Sequence, residues 1–593
     1  LPQPTKTDIA VIGGGIAGLY TAFRLTDPRS RARGKAGPKV TLFEATNHLG
    51  GRLKSIDVPG VHFPLELGAM RLRKRHRLLY QLMEHLGVEM GLINIPPEKY
   101  FLRGRRGKTL EELAAEAYLL PDEEKPFASA PDRLIAFAIH QALKKLEFPA
   151  LEEDERPEMR RQIDSSTPDP LSMIHLDWFT IASQGYLNLG PKSVYLFTVG
   201  FWNLLAHFLS NQAMRLIEDS LGYHSIIGNW NAAVALPWFI EDFSDAEYYA
   251  PLDGFGNFVS KICRRIKKNG GVINTATQLT KVSALNGPQG YKWKLTFKDG
   301  KKNTYLCKKL VLALPRAALE RLRVEKVKPW QELRKTQLSS VKPHNLFKIL
   351  LVYETPWWKK TPNPGGDAGK VITDQPLRQI YYYGPKWINK HTSTAGRKTP
   401  SWPFIMASYC DEYYSEFWST FFSTHWRLGE AYFEEPRNVN LDEPTKRRLI
   451  EIARQDGVHW RMVNKIHRQL SDLHELRPEE IPKPVVGVFM NWDWEPYSGG
   501  WHTWEVSVRS WLVTKRMIQP FADTYPDIYI CGEAYSVEQG WIEGALNTAE
   551  RVLFQKLNLP QPKWFAGDDF KHYLLRATAR GATARAAGNV TAE

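Results

Sequence analysis

The chain has 593 residues and a mass of 68.0 kDa, 43% hydrophobic with 20 tryptophans, too much for one core, so two to four domains are expected. Its 79 lysines and arginines against 64 aspartates and glutamates leave a net charge of +15, but the basic runs at 29–35, 71–77 and 103–108 are scattered. No cationic ladder interleaved with aromatics forms, so no nucleic-acid partner is expected. The four cysteines (Cys263, Cys307, Cys410 and Cys531) lie far apart without CxxC or His-rich spacing, which argues against a disulfide framework and against a metal site.

The first element is the most informative. Ile9–Ile12 is a continuous apolar run, as in a strand buried on both faces, and it leads into Gly13, Gly15 and Gly18. That spacing supplies a tight turn, a close approach of backbone to a pyrophosphate, and close packing of helix on strand. A helix over Ile16–Leu25 would point its N-terminus at the phosphates. A second strand, KVTLFE, ends in Glu44, where a carboxylate can accept from ribose hydroxyls. Strand, turn, helix, strand and acid in this order predict a dinucleotide site.

HLGGR (His48–Arg52) follows, and its paired glycines suit backbone crowded against a second face of the cofactor. From about 110 to 245 the pattern turns helical, as an inserted block. Within it Val194–Leu209, interrupted by Asn203 and His207, is read as a buried helix too short to span a membrane. From 251 a helix and short strands resume the nucleotide-domain texture. Strands such as FKILLVYE, RQIYYYG and PFIMASY between about 340 and 510 suggest a second, mixed sheet. Residues 527–557 read as strand, loop and helix, and the Ala/Arg/Thr/Gly-rich tail from 571 to 593 is expected to be mobile. The fold class is therefore α/β: a discontinuous Rossmann-like domain (1–75, 250–330, 515–565), a mixed-sheet domain (76–110, 331–514) and a helical insertion (111–249). No basic, apolar, cleavable leader is visible, so no signal peptide is expected. Leu at position 1 leaves removal of an upstream segment, and the compartment, open. A soluble protein with no membrane partner is expected.

The joint order of GxGxxG, Glu44, the GGR turn, Lys348 in an apolar strand and Cys531-Gly532-Glu533 ahead of a Gly-Trp helix resembles the flavin amine oxidase family. The ELGAMRL segment, Glu66–Leu72, resembles its L-amino acid oxidase branch. The resemblance implies FAD, held by Gly13, Gly15, Gly18, Glu44, Gly51, Arg52, Ala69, Met70, Val282, Glu533, Trp541 and Ile542. It implies that Arg71 forks onto a substrate carboxylate, with Tyr409 as second contact and Gly540 and Trp541 beside the reacting amine. Lys348 would act catalytically through a water near the flavin. A planar guanidinium suits the anchor because its two parallel N–H donors match a carboxylate. Relatives with a covalent flavin carry a cysteine after the YSGG motif; Trp501 stands there, so FAD is expected to be non-covalent.

The implied reaction takes an L-amino acid and O2 to a 2-oxo acid, ammonia and hydrogen peroxide, by hydride transfer from Cα. Trp230, Phe255 and Trp541 are candidate pocket walls, and the strand tyrosines Tyr381–Tyr383 are further candidates to reach the pocket. No carboxylate stands out as the partner of a cationic side chain, so broad use of larger or aromatic amino acids is expected. Two alternatives stay open: a tryptophan 2-monooxygenase-like decarboxylation to an amide, and a plain amine oxidase. A homodimer is expected.

Overall fold

The computed structural model describes residues 4–30, 37–93, 98–107, 109–190, 193–244, 247–285, 290–298, 304–361, 369–383, 402–421 and 441–575. Most of the 29–35 basic run and residues 576–593 of the tail lie outside them.

Strand β1 (Thr5–Ile12) is the centre of an eight-stranded sheet, running parallel to β2 (Val40–Phe43) on one side and to the strand Thr304–Leu312 on the other. Burial on both faces explains its unbroken apolar run: Ala10 and Val11 are inaccessible to solvent. The short strand Ile528–Ile530 joins in parallel beside Thr304–Leu312, so widely separated parts of the chain build one sheet. Helix α1 (Ile16–Thr26) is buried along its whole length between the helices Gly254–Lys268 and Ile542–Arg551. A buried bidentate ion pair fastens it to the latter: Arg24 Nε and Nη2 each donate to the Glu550 carboxylate at 3.0 Å. Removing one partner of such a pair costs about 3–5 kcal/mol, because the other is left charged in a dry interior.

The second sheet has seven strands, in the order Val486–Asn491, Leu346–Val352, Phe404–Asp411, Gln379–Tyr383, Gly369–Thr373, Lys99–Leu102 and Arg105–Gly107. It is mostly antiparallel, with one parallel pairing between Gly369–Thr373 and Lys99–Leu102. The helical block carries its own core, in which Leu134, Ile135, Ala138, Ile139 and Ala142 of the helix Pro131–Lys144 recur at helical spacing.

Two readings of the sequence need correction. Val194–Leu209 is not one helix. Ser193–Tyr195 is a strand, a single 3₁₀ turn follows, and an α-helix runs only over Phe201–Phe208. Gly200 ends the run: its backbone bridges to Asn231, and a Cβ there would lie 1.8 Å from Asn229 Oδ1. Residues 571–575, taken as the start of a mobile tail, lie in the helix Phe570–Leu575, whose Phe570, Tyr573 and Leu574 are buried. All four cysteines are free and buried. Among the described residues no helix is long and apolar enough to cross a membrane, and no His/Cys/Asp/Glu cluster could hold a metal.

Candidate active site

One cavity of about 870 Å³ runs from the end of β1 to the underside of the second sheet. At its first end the chain leaves β1 through Gly13, at φ +104°, where a Cβ would sit 2.3 Å from the Ala313 carbonyl oxygen. A Cβ on Gly18 would lie 1.9 Å from the Gly13 oxygen, so Gly18 seats α1 on the turn and is not itself part of the cavity wall. Gly15 caps α1 without a side-chain acceptor, which leaves the first N–H groups of the helix for an anion. Gly51, at φ +61°, packs its backbone on Gly15, where a Cβ would come within 3.0 Å of the Gly15 Cα.

Glu44 borders the cavity with its carboxylate fixed by Gly14 N at 2.7 Å and by Thr46 N and Oγ1 at 2.8 Å each. Val282, expected to meet the cofactor through its backbone, is not among the residues that line the cavity. Its side chain is fully buried in the core, and Thr277–Thr280, just before it, form the wall instead.

Further along, Arg52 donates to the Gly500 carbonyl at 2.8 Å and pairs with Glu533 at 3.0 Å. Glu533 also accepts from His502 N and Nδ1 and from Gly540 N at 2.8–3.0 Å. Burial alone would raise this carboxyl. Arg52, His502 and the Gly540 amide outweigh burial and hold it far below the usual carboxylate range. Gly540 (φ +81°) lies so close under Trp501 that a Cβ would meet its ring at 3.0 Å. Trp541 caps the helix Ile542–Arg551 and faces His76, with ring centroids 4.6 Å apart. Ala69, Met70, Gly540, Trp541 and Ile542 all line this part of the cavity.

The other end is built of charge and phenols. Lys348 comes from the strand Leu346–Val352 and is 2% exposed. Its Nζ donates to the Gly68 carbonyl at 2.5 Å and stands 4.5 Å over the Tyr409 ring. Burial, helped by Arg71 and opposed by Glu66, pushes its amine down to about 7. Tyr409 is pushed up to about 12 by burial, and its hydroxyl bonds to that of Tyr223. Arg71 stacks its guanidinium 4.2 Å from the Tyr248 ring and, among the described residues, makes no hydrogen bond or ion pair. Burial opposes its charge, but the phenols of Tyr248, Tyr223 and Tyr381 and the carboxylate of Asp242 outweigh it and hold the cation firmly.

Arg71, Tyr409, Lys348, Gly540 and Trp541 thus share one cavity with Gly13, Gly15, Glu44, Gly51 and Arg52. Phe255 does not: it is fully buried beneath the first sheet. Trp230 stands behind Trp238 and Trp501, about 6 Å from each, and it is Trp238 and Trp501 that line the space. Tyr381 lies behind the wall with its hydroxyl on Gln379. Sequence reading missed Tyr223, Tyr248, Trp238, Asp242, Glu98, Asp132 and Lys370, all on the cavity wall. One signal was available, since Lys370 is a lone lysine in the apolar strand GKVIT, as Lys348 is in its own.

The donor set fits FAD. A glycine cradle with no room for Cβ atoms, an open helix N-terminus, a fixed carboxylate and an aromatic, glycine-floored chamber follow one another along an elongated cavity.

The family model for flavin-containing amine oxidoreductases matches residues 16–400 and 461–552. Aplysianin-A of Aplysia kurodai is 24% identical over 92% of this chain and 89% of its own length. An L-amino-acid oxidase of Siganus canaliculatus is 21% identical over 92% of this chain and 85% of its own. Among solved structures, a putrescine oxidase variant superposes with a TM-score of 0.57 at 14% identity, covering 93% of this chain and 99% of its own. Cyclohexylamine oxidase from Brevibacterium oxydans IH-35A superposes with a TM-score of 0.56 at 13% identity over the same shares. At those identities the likeness is one of fold.

Proposed function

The chain belongs to the family of flavin-containing amine oxidoreductases, a flavoprotein with FAD as cofactor, and from that premise we propose that it oxidatively deaminates L-amino acids. The products would be the 2-oxo acid, ammonia and hydrogen peroxide, and the preferred substrates those with large side chains.

The observation that carries this reading is Arg71: a charged, part-buried guanidinium facing the cavity without a hydrogen-bond or ion-pair partner among the described residues. A cation on a cavity wall without a counterion invites one, and a substrate carboxylate supplies it with two parallel charge-assisted hydrogen bonds. A plain amine offers no such group. Tyr409 and Tyr223 stand beside it with a hydroxyl to spare for the same carboxylate. FAD, when bound, would supply a two-electron acceptor for the hydride from Cα, with O2 as the final acceptor. The protein's part is to fix the Cα–H by holding the carboxylate at one end and walling the amine with Trp541, which makes the transfer effectively unimolecular. The amine must be neutral to react, and Lys348 Nζ, titrating near 7 at the cavity wall, can take its proton directly or through a water.

FAD is held without a covalent bond in this reading: Trp501 follows Gly500, and the described cavity wall contains no cysteine. Acid precipitation is then expected to release all the yellow chromophore; colour retained in the pellet would refute it. The activity is tested by a peroxide-coupled screen of both enantiomers of the common amino acids with product identification. Keto acid and ammonia from L-enantiomers are expected. An amide with carbon dioxide would instead indicate the monooxygenase-like reaction.

A further inference from the structure

The acidic residues at the far end of the cavity extend this reading, and the inference rests on Arg71 as the carboxylate anchor. Three carboxylates share that end with Arg71: Asp242, Glu98 and Asp132. Asp242 is engaged by Arg73 at 3.3 Å and Arg75 at 3.6 Å. Glu98 is engaged by the Lys370 ammonium and accepts from the Tyr100 hydroxyl at 2.8 Å. Asp132 has no such counterion. It sits in the first turn of the helix Pro131–Lys144, where the backbone N–H groups of Asp132 and Arg133 favour its negative charge without outweighing burial. Arg133, its neighbour in sequence, turns its guanidinium to the Ser129 hydroxyl at 2.8 Å. Among the described residues Asp132 forms no ion pair. Burial and the nearby Glu98 charge therefore hold its carboxyl above the usual range.

Pairing off the charges at this end leaves Arg71 and Asp132 without an ion-pair partner, beside Lys348, whose positive charge burial disfavours and whose acceptors are backbone carbonyls. A cavity with one unpaired cation and one unpaired anion is complementary to a ligand bearing the opposite charges. We propose that the substrate carries a cationic side chain, as lysine and arginine do, and that Asp132, beside Glu98, is the specificity-determining group that receives it. This narrows the large side chains expected from the sequence, where no carboxylate could be singled out because Glu98 and Asp132 meet only in the fold. Lys370 sharpens the discrimination. It neutralises Glu98, so the pocket offers one net negative charge and not two, and it opposes a second cation placed near Glu98.

Two inert ligands test this on the unmodified holoenzyme. Hexanoate and 6-aminohexanoate both present a carboxylate to Arg71, and neither has an α-amine to oxidise. They differ in the terminal ammonium, which lies at the span of the lysine side chain. Binding is read from the perturbation of the flavin absorbance spectrum. 6-Aminohexanoate is expected to bind at least tenfold tighter than hexanoate, and D132N to lose most of that difference while D132E keeps it. In turnover, the ratio of kcat/KM for L-lysine or L-arginine over L-leucine is expected to exceed ten and to fall at least tenfold in D132N. Equal binding of the two ligands, or neutral amino acids oxidised in preference to cationic ones, would overturn the proposal and leave the deaminase reading intact. If no L-amino acid yields peroxide, the deaminase reading fails first, and this inference falls with it.

Discussion

Replacing Glu533 with glutamine probes the electrostatic knot beneath the cofactor cavity. The native carboxylate gathers four donors: His502 N at 3.0 Å, His502 Nδ1 at 2.8 Å, Gly540 N at 2.8 Å and Arg52 at 3.0 Å. An amide can accept through its oxygen alone, so its NH2 group must face one of those donors, and Arg52 loses its counterion. Breaking one side of a buried, hydrogen-bonded pair costs about 3–5 kcal/mol. Because Arg52 keeps part of its surface exposed, about 3 kcal/mol is the working figure. The cost falls on the loop that carries Gly540 and Trp541, so it should appear as early release of FAD on heating, followed by flavin fluorescence. The sign of the pH dependence is fixed. A carboxyl depressed by folding stabilises fully above its unfolded value of 4.5 and gives that stabilisation up as pH falls from there towards its folded value. The gap in release temperature between wild type and E533Q should be widest near pH 7 and should narrow as pH falls below 4.5. An E533Q protein that holds FAD as well as wild type at pH 7, or a gap that widens on acidification, would refute the reasoning.

Two other predictions concern the same cavity. Lys348 titrates near 7, so kcat/KM should rise with pH through that value and level off above it; in K348M the inflection should vanish, and its persistence would assign it to another group. Gly18→Ala would place a methyl 1.9 Å from the Gly13 oxygen, a clash with backbone that only a shift of α1 can relieve. Overpacking of this kind costs about 1–3 kcal/mol or more, and G18A should purify with sub-stoichiometric FAD by absorbance; full occupancy would contradict the packing role.

What the sequence reveals of this molecule is what is local. β1, the glycine turn, α1 and Glu44 follow one another within 40 residues, and each signal (apolar run, glycine spacing, terminal acid) acts on its own neighbourhood. Arg71 and Lys348 stand out because their segments are distinctive: a GAM-R run and a lone charge among apolar residues. Tyr223, Tyr248, Glu98 and Asp132 carry no such mark. They come from the helical block and its flanks, and they become neighbours only when that block closes over the second sheet. The errors have the same origin. Gly200 sets where the helix Phe201–Phe208 begins, through contacts with Asn229 and Asn231, about 30 residues away, which periodicity cannot register. Val282 stands in the strand that follows the segment lining the cavity, and its side chain turns to the core.

The central claim is that Arg71 makes this an oxidase of amino acids and not of simple amines. The most direct measurement compares kcat/KM for an L-amino acid and its decarboxylated amine, L-lysine against cadaverine and L-phenylalanine against phenethylamine, in wild type and R71A. The account predicts a preference of at least a hundredfold for the amino acid in wild type, the scale of a buried charge-assisted pair of about 3 kcal/mol. That preference should collapse in R71A with FAD still bound. Equal turnover of acid and amine by wild type, or an undiminished preference in R71A, would contradict it.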